Sequence, residues 1–542
     1  MAFKNYTPLL FTFLFHFYCI SQNTVGTIYN SNDAYEGYTL FTLYTESYLI
    51  NNCGETINQW SSTYPPGNSV YLLENGNLLR AGRTNSSDIV FGGTGGVIEL
   101  YDWDGNLIWS MLYDTPTHRQ HHDVYPMPNG NILVLAATVM SYDEAIQAGR
   151  SADLLNDTTL YNEQIIEVQP IGTNSYSIVW EWNIKDHLIQ DIDSTKDNYG
   201  DISDNPQLLD INFLNGGALS TNWLHVNSIQ YNEELDQIIL SSRNLSEVYV
   251  IDHSTTTAEA ASHTGGLQNK GGDFLYRWGN PQAYDSGTEN DRQLYGQHYP
   301  HWIPEGLTDE GKIMIFNNGF GRQPTYSEVF VIDPPVNESG AYSHVANTSF
   351  LPIAPDFIYS NQPDLYSAIV SSAQRLPNGN TLICEGRTGE LSEIDSSNNI
   401  VWEYVTPINN NTGALFSQGE DPINNLTFRA IKYGPDFPGF SNKDLTPGLP
   451  IVASENIFGC NSLNTPEIAL QNINIYPNPT SNYINIESAY PIDKIEIYDL
   501  LGKNVMTEHN NTKINLESLN SGVYIISINQ GNKKTIKKII KN

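Results

Sequence analysis

Tyr125-Pro-Met-Pro-Asn-Gly-Asn-Ile-Leu-Val-Leu135 runs from one apolar stretch through a Pro-Asn-Gly-Asn turn into another. An Asn-Gly pair supplies the positive φ angles of a tight hairpin, so the segment predicts two antiparallel strands. The same half-motif recurs as Tyr71-Leu-Leu-Glu-Asn-Gly-Asn-Leu-Leu79 and as Arg375-Leu-Pro-Asn-Gly-Asn-Thr-Leu-Ile383. A second half-motif joins an alternating strand, a turn rich in Asp and Asn, and a strand bearing Trp. It reads Val97-Ile-Glu-Leu-Tyr-Asp-Trp-Asp-Gly-Asn-Leu-Ile-Trp109 and Leu391-Ser-Glu-Ile-Asp-Ser-Ser-Asn-Asn-Ile-Val-Trp-Glu-Tyr404. Val248–Asp252, followed by Leu275-Tyr-Arg-Trp278, is a stretched copy.

Two hairpins in succession make a four-stranded antiparallel unit, and repetition of that unit is the signature of a β-propeller. Full copies fall near 69–110, 122–183, 225–278, 299–334 and 370–405. A half copy over Ser47–Trp60 opens the chain, and Phe428-Arg-Ala-Ile-Lys-Tyr433 supplies its missing strand. Joining the two closes the ring without an exposed edge and brings the count to six blades. Asp102-Trp-Asp-Gly-Asn106 superficially suggests a calcium loop, but the required Glu spacing is absent and it reads as a blade turn.

The fold class expected is all-β: a six-bladed β-propeller followed by a small Ig-like β-sandwich. With 542 residues, 39% apolar and 11% aromatic, and with 41 Gly and 28 Pro, the chain suits a large repeat body plus something smaller. Residues 1–22 read as a signal peptide: Lys4, a short apolar run from Leu9 to Ile20, then cleavage near Ser21 or Gln22. Cys19 follows Phe17 and Tyr18, which are too large for a lipoprotein site. No stretch is apolar enough for a stable transmembrane segment. The propeller takes 23–460, a linker 461–472 and the last domain 473–542. The net charge of −34 excludes nucleic acid as a partner. Export permits disulfides, and Cys53 and Cys460, in loop-like sequence at the two ends of the large domain, are expected to pair, leaving Cys384 buried in a strand.

Propeller chemistry is sited where the inner strands converge. His121-His122-Asp123, His225-Val-Asn227-Ser and His298-Tyr-Pro-His301 each precede or open the inner strand of successive blades, which places imidazoles in one register. Arg243 ends a strand in Ile238-Ile-Leu-Ser-Ser-Arg243, and its guanidinium suits an oxyanion.

The stretch from Asn222-Trp-Leu-His-Val-Asn-Ser through Ser242-Arg-Asn, Tyr276-Arg-Trp-Gly-Asn-Pro, Gly296-Gln-His and Ile315-Phe-Asn-Asn-Gly resembles bacterial arylsulfate sulfotransferases. The resemblance covers most of 67–405. It implies a six-bladed propeller that moves a sulfuryl group from a phenolic sulfate donor to a phenol acceptor through a sulfated histidine, without a nucleotide sulfate donor, cofactor or metal. On that resemblance His298 is the nucleophile, and His225, Asn227, Arg243 and either His121 or His122 are site residues. The family's N-terminal β-sandwich is absent here, which leaves the oligomeric state open. The last domain, with Tyr476-Pro-Asn-Pro-Thr480, Ile495-Glu-Ile-Tyr-Asp-Leu-Leu-Gly-Lys503 and Gly522-Val-Tyr-Ile-Ile526, resembles the C-terminal sorting domain of the type IX secretion system. That implies a host among the Bacteroidota, the type IX secretion machinery as partner, and secretion or outer-membrane surface display.

Sulfuryl transfer, by analogy with phosphoryl transfer, asks for a nucleophile, cationic donors around the equatorial oxygens and an acid–base partner for the phenol. A neutral imidazole at His298 meets the first need. Arg243, Asn227 and one protonated histidine meet the second. His225 meets the third. Two other readings stand beside this one. Converging histidines could bind copper or zinc in a metal-dependent enzyme, against which Arg243 argues. A non-catalytic surface propeller that binds glycan or protein would keep ligand binding after His298→Ala.

Overall fold

The computed structural model describes residues 23–542 apart from 87, 156–158, 217–219, 455–456, 461–472, 489–490, 501, 510 and 531–532. The signal-peptide reading of 1–22 and the linker reading of 461–472 lie outside the described residues. Two compact units meet at Cys460/Asn461.

Among its described residues the first unit is all-β and contains six antiparallel sheets, five of four strands and one of five, besides a two-stranded parallel pair. In chain order, sheets two to six begin with Pro66–Leu72, His118–Pro126, Val226–Asn232, His298–Trp302 and Ser372–Arg375. Sheet one begins with a strand from the far end of the unit: Ile431–Tyr433 pairs antiparallel with Tyr38–Leu43, joined by Glu46–Ile50 and Thr56–Ser61. The half copy near the start is thus completed by the Phe428–Tyr433 segment. Two details differ from the repeat as read. The outer strand of sheet five is Phe357–Tyr359, well past residue 334, because a long insertion precedes it. Gly26–Asn30 adds a fifth strand to the outer edge of sheet six.

The Pro-Asn-Gly-Asn turns also differ in detail from an Asn-Gly type I′ turn. Met127 N donates to Asn131 O at 2.9 Å and Gly130 N to Met127 O at 3.0 Å. Of the turn residues only Gly130 has positive φ, +84°. This is a three-residue loop closed by a left-handed glycine, the next most common hairpin after the two-residue types.

Tryptophans in the outer strands bond forward into the following sheet. Trp60 Nε1 donates to Asp102 O, Trp109 Nε1 to Ser175 O, Trp180 Nε1 to Thr255 Oγ1 and Trp278 Nε1 to Pro352 O, at 2.7–3.1 Å. Trp402 of sheet six donates to Asn52 O of sheet one at 2.8 Å. Each indole fills space between sheets and satisfies its one polar atom there, so large aromatic area is buried without an orphaned donor. Arg375 and Asp309 link sheets six and five at 3.0 Å. Cys53 and Cys460 form a disulfide, while Cys384 is a buried free thiol whose pKa burial raises to about 12.

First strands of neighbouring sheets lie against one another, and five sheets meet in one buried network. Asp123 Oδ2 takes Arg429 Nη2 at 2.7 Å and Ile229 N at 3.2 Å. Tyr71 OH accepts from Gln230 Nε2 at 2.9 Å and bonds Arg429. The Arg429 guanidinium sits 3.8 Å from the Tyr299 ring centroid. Buried charges survive only when paired and hydrogen-bonded, and this pair is both.

The second unit has two antiparallel sheets. Asn474–Tyr476, Tyr483–Glu487 and Lys513–Asn515 form one; Asn504–His509, Lys494–Tyr498, Gly522–Gln530 and Lys533–Lys541 form the other. Ile484, Ile495, Ile497, Ile514, Ile526 and Ile528 make a shared core. Among the described residues no helix is long and apolar enough to cross a membrane.

Candidate active site

In four successive sheets the first strand breaks register at the same place: before Val70, across 121–123, between Val226 and Ile229, and between His298 and His301. Positive φ marks these irregularities, at Asn68 (+95°), His122 (+49°), His225 (+49°) and Tyr299 (+52°). A bulge ends strict alternation and re-aims side chains, and such strain in non-glycine residues concentrates at functional sites. Here it gathers the histidines that the shared register predicts.

His122 lies against His225, with ring centroids 4.7 Å apart at 69°. His121 stands behind it: its Nδ1 is 2.9 Å from His122 Nδ1, and its Nε2 is 2.9 Å from Glu163 Oε2. Since Glu163 is an acceptor, His121 Nε2 carries a proton. The two Nδ1 atoms share one proton, and when His122 carries it the lone pair of that ring lies on Nε2. Glu163 Oε1 also takes Val226 N at 3.0 Å. Phe91 packs edge-on to His121 and His225, with centroids 5.1 and 6.1 Å away. Asn222 Nδ2 donates to His225 Nδ1 at 2.9 Å, so His225 presents Nε2–H.

His298 is 3% exposed and tightly held. Its Nδ1 donates to Asn318 Oδ1 at 2.7 Å, and its Nε2 accepts Val370 N at 3.2 Å. Its tautomer is therefore Nδ1–H with the lone pair on Nε2. Asn227 is fully buried. Its amide donates to Gln297 O at 2.8 Å, anchoring the backbone just before His298. Among the described residues Arg243 has neutral acceptors, Asn244 Oδ1 and Ala368 O, both at 3.3 Å, and its guanidinium stacks 4.5 Å from the Phe320 ring. Its backbone N donates to His225 O at 3.2 Å.

Burial and neighbouring charge disfavour protonation of His298, His225 and His122. Burial, then the Arg243 charge, lowers the His298 pKa to about 3. Burial, then Arg243 and His298, holds His225 well below the usual histidine range. His122 is likewise held low by burial, then by His225 and His121. A cavity of about 630 Å³, lined by Arg243, Gly296, Phe320, Trp223, Arg292 and Glu289, reaches the cluster through Arg243; among the described residues its lining includes none of the four histidine rings. That volume is ample for an aromatic ligand.

The register of the sequence thus brings together His121, His122, His225, His298 and Arg243. Glu163, Asn318, Phe91 and Arg429 were not singled out. Asn318 lies within the Ile315-Phe-Asn-Asn-Gly match and Arg429 within the ring-closing strand segment, so position alone could have flagged both. Glu163 and Phe91 carry no local signal.

Residues 56–416 match the family model described as arylsulfotransferase (ASST), and 474–542 match the secretion system C-terminal sorting domain. No curated protein matches the chain. Similar solved structures include a protein of unknown function from Bacteroides caccae, 11% identical over 73% of this chain and 98% of that one, TM-score 0.39. The periplasmic gluconolactonase of Pseudomonas aeruginosa is 12% identical over 68% and 97%, TM-score 0.33. A catalytically inactive virginiamycin B lyase variant from Staphylococcus aureus is 9% identical over 71% and 89%, TM-score 0.31. With two thirds of its length under one family model and its end under another, the chain belongs to the arylsulfotransferase family and carries a type IX secretion sorting domain.

Proposed function

We infer that the protein is an aryl-sulfate sulfotransferase that works through a sulfohistidine at His298, on a six-bladed propeller whose blades are the six sheets. The ring reading rests on the Ile431–Tyr433 pairing, the forward tryptophan bonds and the Arg375–Asp309 bridge. The observation that carries the chemistry is the His298 tautomer, fixed by Asn318 so that Nε2 holds the lone pair within the field of Arg243, whose hydrogen-bond acceptors among the described residues are neutral.

In this reading the aryl ring of the donor enters the cavity along Phe320, and Arg243 holds the sulfate oxygens. His298 Nε2 attacks sulfur, the N–S bond forms and the aryl O–S bond breaks in line. Nε2 gives up its contact with Val370 N–H, which then has a sulfuryl oxygen within reach. His225 Nε2–H donates a hydrogen bond to the departing phenolate oxygen and keeps its proton, so the product leaves as the phenolate. The Glu163–His121–His122 chain offers a second acceptor at His122 Nε2. As the acceptor phenol oxygen attacks sulfur, its proton passes to His122 Nε2, the N–S bond breaks and His298 is restored; His122 then releases that proton to solvent or to the departed phenolate.

The second unit serves as an Ig-like sorting domain, and 1–22 as a cleaved signal peptide, so the propeller acts outside the cell or on its surface. The test is steady-state kinetics with 4-nitrophenyl sulfate and a phenol. Nitrophenol release that depends on the phenol, with ping-pong behaviour, is expected, and His298→Ala abolishes it. Equal release with and without phenol would make water the acceptor and the protein a sulfatase. No release would sink the enzyme reading.

A further inference from the structure

The second cluster of metal-ligating side chains lies on the outer part of the first unit, away from the residues discussed above. His187 follows the outer strand Ser175–Asn183 of sheet three. His263 and Asp273 belong to the segment that links Glu247–Asp252 to Tyr276–Trp278 in sheet four. One ligand atom from each residue lies within 4.8 Å of the others, and among the described residues this is the tight grouping of that kind.

The hydrogen-bond arithmetic at His187 does not close with a neutral ring. His187 is fully buried, and its Nε2 is 2.8 Å from Ala260 O, which can only accept. Nε2 therefore carries the proton, and a neutral imidazole then has a lone pair on Nδ1. Yet Nδ1 lies 2.8 Å from Asp273 Oδ1, a carboxylate acceptor. His263 Nδ1 lies 2.8 Å from that same oxygen. Two imidazole nitrogens thus converge on one carboxylate oxygen, and either a second proton on His187 or a divalent cation among the three atoms closes the set.

The surroundings fit a metal. The bond from His187 Nε2 to Ala260 O is the outer contact that metal-bound histidines make to fix their tautomer. Trp182 stacks on the His187 ring at 6°, with centroids 5.6 Å apart. The loop is wound too tightly for side chains at its glycines: a Cβ at Gly272 would sit 2.1 Å from Ala260 O and 2.5 Å from His187 Nε2. Asp186 interacts electrostatically with both imidazoles, and it lines an acidic cavity of about 560 Å³ together with Asp143, Glu144 and Asp197. Such an acidic mouth concentrates cations. His263 is exposed and leaves a coordination position for water.

We propose that His187 Nδ1, His263 Nδ1 and Asp273 Oδ1 bind a borderline divalent cation of the zinc type, which clasps the 253–273 segment to the edge of sheet three. Two imidazoles and one carboxylate select zinc, copper or nickel over calcium or magnesium. This site is independent of the sulfotransferase reading.

The test uses the full chain stripped with a chelator and titrated with zinc chloride alone, followed by calorimetry and by thermal melting. One equivalent is expected to bind and to raise the melting temperature. His263→Ala removes an exposed ring, so the fold is kept, and zinc binding is expected to weaken at least about tenfold with loss of the thermal shift. His298→Gln is expected to leave zinc binding unchanged, and calcium chloride to give no saturable heat. No saturable zinc binding, equal binding by His263→Ala, or loss of binding in His298→Gln instead would overturn the proposal.

Discussion

Asn318 Oδ1 accepts the hydrogen bond of His298 Nδ1 at 2.7 Å, and the rest of the Asn318 amide is held just as firmly. Its Nδ2 donates to Ser367 O at 2.7 Å and to Val370 O at 2.9 Å, so the amide cannot turn its nitrogen toward the ring. Asn318→Ala is expected to release the ring to the wrong tautomer and lower kcat by ~10²-fold or more. The KM for the aryl sulfate should change far less. Asn318→Asp, which keeps an acceptor facing Nδ1, should retain more activity than the alanine variant. Steady-state kinetics with both variants checks this, and equal activity in all three proteins would remove the positioning role.

Gly93 lies where the His122 ring must pass. Its φ is +90°, and a Cβ there would be 2.0 Å from His122 Nε2. Gly93→Ala is therefore expected to push His122 off His225 and lower kcat/KM by roughly 10²-fold, the scale of a misplaced catalytic group. The far-ultraviolet circular dichroism should stay unchanged. Full activity would mean that the His122–His225 contact is not used.

How much of this was legible beforehand depends on the range of the signal. Hairpins at 71–79, 125–135 and 375–383 were readable because strand, turn and strand are contiguous. The closing strand was readable because its apolar residues lie just where a sheet lacked a strand. The shared position of His122, His225 and His298 was readable because each stands a few residues before the apolar stretch of an inner strand, although the strand that holds His122 begins earlier, at His118. The bulges that gather them were not, since a register shift depends on both strands. Nor were Glu163 and Phe91, whose partners are tens of residues away. Asn227, expected from the needs of sulfuryl transfer to help hold the oxyanion, is fully buried and gives an amide N–H to Gln297 O. The outer strand Phe357–Tyr359 was missed because a long insertion hides its spacing.

Asp123 and Arg429 form a buried pair separated by 306 positions in the chain. Asp123→Asn leaves the guanidinium without its countercharge and is expected to destabilise the first unit by about 3–5 kcal/mol. Denaturant titration reads this as a lower midpoint, and an unchanged midpoint would show that the pair does not hold the centre together.

His301 supplies a pH test with a definite sign. Burial lowers its pKa to about 4, from 6.5 for an unperturbed histidine. The ring stacks on Tyr299 with centroids 4.5 Å apart. Above 6.5 both folded and unfolded rings are neutral and contribute no pH dependence. As pH falls from 6.5 toward 4 the unfolded chain takes up a proton that the folded chain refuses, so stability is lost. The loss is about 1.4 kcal/mol per pH unit for this one group. Relative to His301→Gln, the parent should therefore lose stability at that slope between pH 6 and 4.5, measured by chemical denaturation at each pH. Parallel pH profiles for the two proteins would contradict the neutral buried imidazole.

Covalent capture of sulfur on His298 is the most direct test. The chain is mixed with 4-nitrophenyl sulfate in the absence of a phenol, quenched under alkaline conditions, digested and mapped by mass spectrometry. A ~80 Da increase is expected on the peptide that carries His298, because covalent catalysis leaves the transferred group on the nucleophile. It should vanish on adding a phenol and never form in His298→Gln. Phenol-dependent nitrophenol release with no adduct, or with the adduct on another histidine, would contradict the account.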